Sequence, residues 1–284
     1  MLRTRLWMGA LLVALIVAML VVDQGPWFPF LFLLLVVFSL AGALELLHLL
    51  GPSRKLPAGL VYPGLALLVA ANWLPHVPGP ARELNPEPWF WVQSVFAGLV
   101  LAGFLVEMAA FRQPGESVVR IALTVWVVSY LGLLPSFFAQ LRWPAGGEES
   151  AGTAALALAV FVPKCGDIGA YFTGRLLGRH PMTPVLSPKK TWEGAAGGLA
   201  ASALAAVGID RLGPAPVLQG ELVREVGFGL SLSVAGMFGD LAESLIKRDC
   251  RQKDASHAVP GFGGVLDVVD AVLFAAPVAY WWLC

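Results

Sequence analysis

Long apolar runs separated by short polar stretches recur from one end of this sequence to the other. A helix crosses the hydrocarbon core of a bilayer with about 20 apolar residues. On that criterion nine spans are predicted, at roughly 6–22, 27–50, 57–75, 89–110, 118–140, 152–174, 194–210, 226–246 and 265–284. Several contain Gly or Pro, which membrane helices tolerate when neighbours satisfy the freed backbone groups. The seventh is short and rich in Ala and Gly, so it is expected to pack tightly against other helices. The first has a basic start, MLRTR, but no small-x-small cleavage site follows, so it is read as a span and not a cleaved signal.

The fold class expected is all-α and polytopic. The chain is 57% hydrophobic and 13% charged, far below the charge of a soluble domain, so most of its surface does not face water. The alternating strands of a membrane barrel are absent from the pattern. Composition changes near residue 150. Greasy helices with short connections fill 1–150, expected to be an N-terminal membrane region of about five spans. Polar residues crowd into 151–284, expected to be the region that carries the chemistry, with two polar inside loops. No internal repeat is evident.

Net charge is zero, but the basic residues are distributed unevenly. With the N-terminus in the cytoplasm, the inside loops carry Arg3, Arg5, Arg54, Lys55, Arg112, Arg120, Arg175, Arg179, Lys189, Lys190, Lys247, Arg248, Arg251 and Lys253. The outside loops carry only Arg82, Arg142, Arg211 and Arg224, and Lys164 falls within a span. This bias supports nine spans and a cytoplasmic N-terminus. Cys165, Cys250 and Cys284 have no metal or redox spacing and are read as free thiols.

Ionisable residues inside spans are costly and usually functional. Here they are Glu45, Glu107, Lys164, Asp167, Asp240, Glu243, Asp267 and Asp270. Lys164, Asp167, Tyr171 and Arg175 share one face of the sixth span. Asp240, Glu243, Ser244 and Lys247 share a stripe of the eighth, which runs on into Arg248 and Arg251. Asp267 and Asp270 lie one turn apart at the start of the ninth. Carboxylates so close repel unless a cation lies between them. Ion pairing to a neighbouring Lys or Arg is the structural alternative. Glu45 and Glu107 stand alone in apolar surroundings and are read as protonated or hydrogen-bonded between helices.

Two inside loops carry further chemistry. The loop between the sixth and seventh spans contains SPKKTWEG, where Lys189 and Lys190 suit phosphates and Trp192 offers a plane for a base. The loop between the eighth and ninth alternates cations and acids and ends in PGFGG, where glycines let a backbone approach a ligand closely. There is no Walker loop and no zinc spacing.

These segments in order, GDIGAYFTGRLLG, SPKKTWEG, SLIKRDCRQKD, PGFGG and LDVVD, resemble the phosphatidate cytidylyltransferase family over about 165–275. The family pattern reads Ser-x-x-Lys-Arg, four residues, Lys-Asp, then Pro-Gly-His-Gly-Gly, then Leu-Asp-Arg-x-Asp. Phe262 stands where the family usually has His, and Val268 where it usually has Arg. The resemblance implies an enzyme that joins CTP to phosphatidic acid, giving CDP-diacylglycerol and pyrophosphate. It implies that Asp240 and Asp267 bind metal, magnesium being the ion that suits oxygen ligands and phosphates, with Asp270 as a further ligand.

On the same reading Lys247, Arg248 and Asp254 join Asp240 and Asp267 in catalysis. Ser187, Lys189, Lys190, Trp192, Glu193, Ser244, Lys253, Gly263, Gly264 and Asp167 are expected to contact substrate, with the acyl chains entering near the eighth and ninth spans. A second cation and a homodimer are compatible with the pattern, and nothing points to nucleic acid. The location expected is a prokaryotic inner membrane with the site on the cytoplasmic side. The alternatives are a CTP-dependent kinase of lipid alcohols, of the phytol or dolichol type, and an ion or solute transporter. Clustering of the charges at one membrane face, with no inverted repeat, argues against the transporter.

Overall fold

A computed structural model describes residues 2–284 except Gln24, Pro26, 52–55, 145–148, His257 and Phe262, with the backbone alone for 2–6. Among the sequence expectations, Arg54, Lys55 and Phe262 therefore lie outside the described residues, as do the side chains of Arg3 and Arg5. The helices are α1 (Leu2–Val22), α2 (Pro29–Leu50), α3 (Ala58–Ala71), α4 (Pro80–Leu84), α5 (Pro88–Ala110), α6 (Ser117–Val128), α7 (Leu134–Gln140), α8 (Glu149–Leu177), α9 (Trp192–Leu212), α10 (Leu222–Asp249) and α11 (Leu266–Leu283). A π-helical turn, Ser129–Leu133, joins α6 to α7 without a break. Each predicted apolar segment is helical. Seven helices among the described residues are long and apolar enough to cross a membrane, α6–α7 counting as one, and Trp7–Val22 and Ala58–Ala71 are shorter apolar helices.

The outward side chains identify the solvent. Leu11, Leu33, Leu101, Leu105, Phe172 and Leu204 are all exposed, and only 11% of the apolar window of α5 is buried. Apolar surface this extensive is stable against lipid and not against water. The protein is an integral, polytopic, nearly all-α membrane protein. The exception to all-α is an antiparallel pair, β1 (Pro181–Thr183) with β2 (Ser187–Thr191), inside a segment read from sequence as a loop.

The chain forms two compact units, Met1–Ala139 with Ala255–Val265, and Gln140–Asp254 with Leu266–Cys284. In the first, Leu68, Ala71, Val92, Leu99 and Val128 build a core from α3, α5 and α6. Helix α3 stops at Ala71, short of the predicted 75. Asn72 Nδ2 donates to the carbonyls of Leu68 and Val69 and to Ser136 Oγ, and Pro75 cannot continue the helix. The Asp23 carboxylate accepts from the amides of Phe30 and Leu31, satisfying donors at the start of α2. Glu107 is not solitary. Arg120 donates Nε and Nη2 to it at 2.8–3.0 Å, a two-pronged pair between α5 and α6.

In the second unit α8, α9, α10 and α11 pack together. The small residues predicted to bring the seventh span close to its neighbours do so. The backbone oxygen of Gly166 in α8 lies 3.1 Å from where a Cβ of Gly198 in α9 would stand. The α10–α11 crossing is closer. A Cβ on Gly239 would strike the Asp270 carbonyl and lie 3.1 Å from Ala271 Cα. Backbone cannot yield as a side-chain tip can, so Gly239→Ala is expected to part the helices and destabilise the fold by about 1–3 kcal/mol. The change is measurable as a lower melting temperature in detergent. The glycine immediately precedes Asp240 and touches the backbone of Asp270, so the contact that needs it also sets the distance between two acids.

Candidate functional site

Eight ionisable side chains of the second unit, Lys164, Asp167, Lys190, Asp240, Glu243, Lys247, Asp267 and Asp270, form one connected network. Asp240 and Glu243 lie on one side of α10 because three residues make almost a full turn, and Asp270 meets them from the first turns of α11. Oxygen atoms of the three lie within 4.8 Å of one another. Lys164 Nζ of α8 lies 3.3 Å from Asp167 Oδ2 and 3.4 Å from Asp270 Oδ1. Lys247 Nζ lies 2.5 Å from Glu243 Oε2 and 2.6 Å from Asp267 Oδ1. Lys190 Nζ, from β2, lies 2.8 Å from Asp240 Oδ2.

Five carboxylates thus share three ammonium groups, which leaves two negative charges when all are ionised. That deficit equals the charge of one divalent cation. At a separation near 4 Å each uncompensated pair repels by about 4 kcal/mol at an effective dielectric of 20. Glu243 Oε1 is buried with no hydrogen-bond donor among the described residues. Oxygen-only donors, clustered and one of them unsatisfied, suit a hard cation. The residues present therefore fit a divalent metal, with Asp240, Glu243 and Asp270 as the donor set.

The hairpin that delivers Lys190 has its own brace. Proline and a short tip reverse the chain between β1 and β2, and Pro188 is tolerated because a two-stranded ribbon is all edge. Glu193, in the first turn of α9, accepts from the amides of Arg179 and His180 and meets His180 Nδ1 at 2.5 Å. The Trp192 amide donates to the His180 carbonyl, and Thr191 Oγ1 caps α9 by accepting from Gly194 N at 3.1 Å. Glu193 is thus occupied in closing the hairpin. Trp192 and Lys189 are exposed beside it, and Ser187 lends its carbonyl to Thr183 Oγ1.

Among the residues expected from sequence, the network gathers Asp167, Lys190, Asp240, Lys247, Asp267 and Asp270. Asp267 faces Lys247, while Glu243 takes the third place beside Asp240 and Asp270. Glu243 was visible in the sequence on the Asp240 stripe but had no role there. Lys164, placed on one face with Asp167 by spacing, pairs with it and also reaches Asp270. Ser244 is buried on α10. Arg248, Lys253 and Asp254 are exposed outside the network, with Arg248 donating to the Gln252 carbonyl. Gly263 and Gly264 belong to the first unit, where Gly263 pairs with Val259 in a short antiparallel bridge.

The cytidylyltransferase family model matches residues 3–284. Phosphatidate cytidylyltransferase 5, chloroplastic, of Arabidopsis thaliana is 34% identical over 218 residues, 69% of this chain and 53% of that protein. The phosphatidate cytidylyltransferase of Brucella suis is 40% identical over 154 residues, 49% of this chain and 56% of that protein. That of Mycobacterium bovis is 35% identical over 170 residues, 59% and 52% of the two. The chain spans about half the length of the curated relatives it matches. With a match over nearly its whole length, this chain belongs to the cytidylyltransferase family.

Proposed function

We propose that this protein is a phosphatidate cytidylyltransferase that uses magnesium. The observation that carries the reading is the acidic network on α8, α10 and α11, two charges short of neutral, with a lysine-bearing hairpin joined to it through Lys190 and Asp240. Such a deficit beside the exposed Lys189 suits a substrate that arrives as a metal–polyphosphate complex. The names of the relatives supply the nucleotide and the lipid.

The reaction unites two anions. A phosphate oxygen of phosphatidate forms a bond to the α-phosphorus of CTP. The bond from that phosphorus to the bridging oxygen of the β-phosphate breaks, and pyrophosphate leaves with the electron pair. The nucleophile is already anionic, so no general base is required. Catalysis then rests on positioning and charge neutralisation. Asp240, Glu243 and Asp270 would hold a magnesium ion, which when bound would supply electrostatic stabilisation of phosphate oxygens. Lys189 on the hairpin neutralises phosphate charge, Lys190 holds Asp240, and the exposed indole of Trp192 offers a stacking face to cytosine. Lys247 fixes Glu243 and Asp267, and Lys164 fixes Asp167 and Asp270. The acyl chains remain in the bilayer. The excess of basic residues in one set of loops favours nine spans, a cytoplasmic N-terminus and a site facing the cytoplasm.

The test is product identification. Purified protein in detergent, given CTP, phosphatidate and magnesium, is expected to release CDP-diacylglycerol and pyrophosphate in equal amounts. Release of CDP with a phosphorylated lipid alcohol overturns this reading in favour of a kinase.

A further inference from the structure

Glu45 is a carboxylate near the C-terminal end of the apolar helix α2, buried, and called on by neither the metal donor set nor the hairpin. An acid in such a place needs a reason, and its contacts supply one. Glu45 Oε1 accepts from Ser256 Oγ at 2.6 Å and from the Val265 amide at 2.8 Å, across 211 and 220 residues of sequence. Those donors stand at the two ends of the segment Ala255–Val265, which belongs to the same compact unit as α2. One oxygen of one side chain gathers both ends of the loop.

The loop is built to receive it. Val259 and Gly263 exchange both backbone hydrogen bonds, at 2.8 and 3.0 Å, which folds the segment back on itself. Ser256 Oγ donates to Glu45 and accepts from the Ala258 amide at 3.0 Å. Gly264 is buried, and a Cβ there would lie 2.5 Å from Glu45 Oε2 and 2.8 Å from its Cδ. A carboxylate tip can ordinarily swing aside, but this one is held by the Ser256 hydroxyl and the Val265 amide, so a methyl group at 264 must disturb those bonds. The glycine and the glutamate are therefore two halves of one fit, although they are 219 positions apart in the sequence.

We infer that Glu45 is a positioning residue: from α2 it holds the glycine loop Ala255–Val265 in the shape in which Gly263 and Gly264 meet substrate. This rests on the reading above of that loop as a substrate contact. Glu45 does not touch the reacting atoms. It acts through the Ser256 hydroxyl, the Val265 amide and the space beside Gly264.

The test combines hydrogen–deuterium exchange with steady-state kinetics on the full chain in detergent. Loss of one buried hydrogen bond is expected to speed exchange of the Val265 amide about tenfold in Glu45→Ala. Glu45→Gln keeps a carbonyl acceptor and is expected to exchange within about threefold of the wild-type protein. Displacing a substrate loop by around 1 Å costs about a hundredfold in rate, so kcat of Glu45→Ala should fall far more than its KM for CTP rises, with Glu45→Gln restoring most of it. Gly264→Ala crowds the carboxylate while leaving it in place. It is expected to match Glu45→Ala, and the double variant to be no worse than either alone, because all three break one fit.

Should Glu45→Ala not fold, Gly264→Ala puts the same question. A protected Val265 amide in both variants overturns the inference, and so does a freed amide with unchanged kcat. Exchange is independent of turnover. A wild-type protein that makes no CDP-diacylglycerol therefore defeats the proposed function, while the amide still decides whether Glu45 holds the loop.

Discussion

Replacing Asp270 by Asn is expected to lower magnesium-dependent pyrophosphate release by about a hundred- to a thousandfold, the usual cost of one lost electrostatic contributor to a transition state. Asp270 is buried, belongs to the three-acid donor set, and shares Lys164 with Asp167. Asparagine has nearly the same shape, so the close α10–α11 contact is undisturbed. Lys164 keeps Asp167 as a partner at 3.3 Å. What disappears is one negative charge out of a deficit of two. The loss should therefore appear in turnover, with the elution volume in detergent and the helical circular dichroism unchanged. Turnover within about threefold of wild type removes Asp270 from the metal site.

Lys247→Met is expected to act on stability first. Lys247 joins two largely buried carboxylates, Glu243 within its own helix and Asp267 on α11. Methionine fills similar space without charge, so both acids lose the same partner. Breaking a buried ion pair from one side costs about 3–5 kcal/mol, because the remaining charge stays buried. The melting temperature in detergent should fall accordingly. Added divalent cation should recover part of the loss, since a ligand that binds only the folded state stabilises it by mass action. An unchanged melting temperature without added metal shows that Lys247 does not compensate these acids.

The helical architecture was legible in the sequence because its signal is local. An apolar run identifies a span wherever it occurs, and each predicted segment is a helix. The exceptions have local causes that hydropathy does not register. Asn72 ends α3 through a bond to Ser136, and the 181–191 segment pairs as a ribbon through main-chain bonds that any side chains could accompany. The site divides in the same way. Asp240 and Glu243 declare themselves by spacing on one helix, and Asp267 and Asp270 by theirs on another. Which acid meets which lysine is a long-range matter. Lys164 reaches Asp270 across 106 residues, and Lys247 takes Asp267 across 20. Spacing therefore places Asp267 and Asp270 equally well beside a metal, and their contacts with different lysines separate them. The contact between Glu45 and Gly264 was equally out of reach, since it joins positions 219 residues apart.

The proposed meeting of α10 and α11 at a divalent cation is open to direct measurement. Manganese favours the same oxygen ligands as magnesium and is visible by electron paramagnetic resonance. Titrated into the purified protein with CTP, it is expected to bind at about one ion per chain, the number that cancels the network's charge, and to lose that site in the Asp240→Asn/Asp270→Asn double variant. Undiminished manganese binding by the folded double variant contradicts a metal held between α10 and α11.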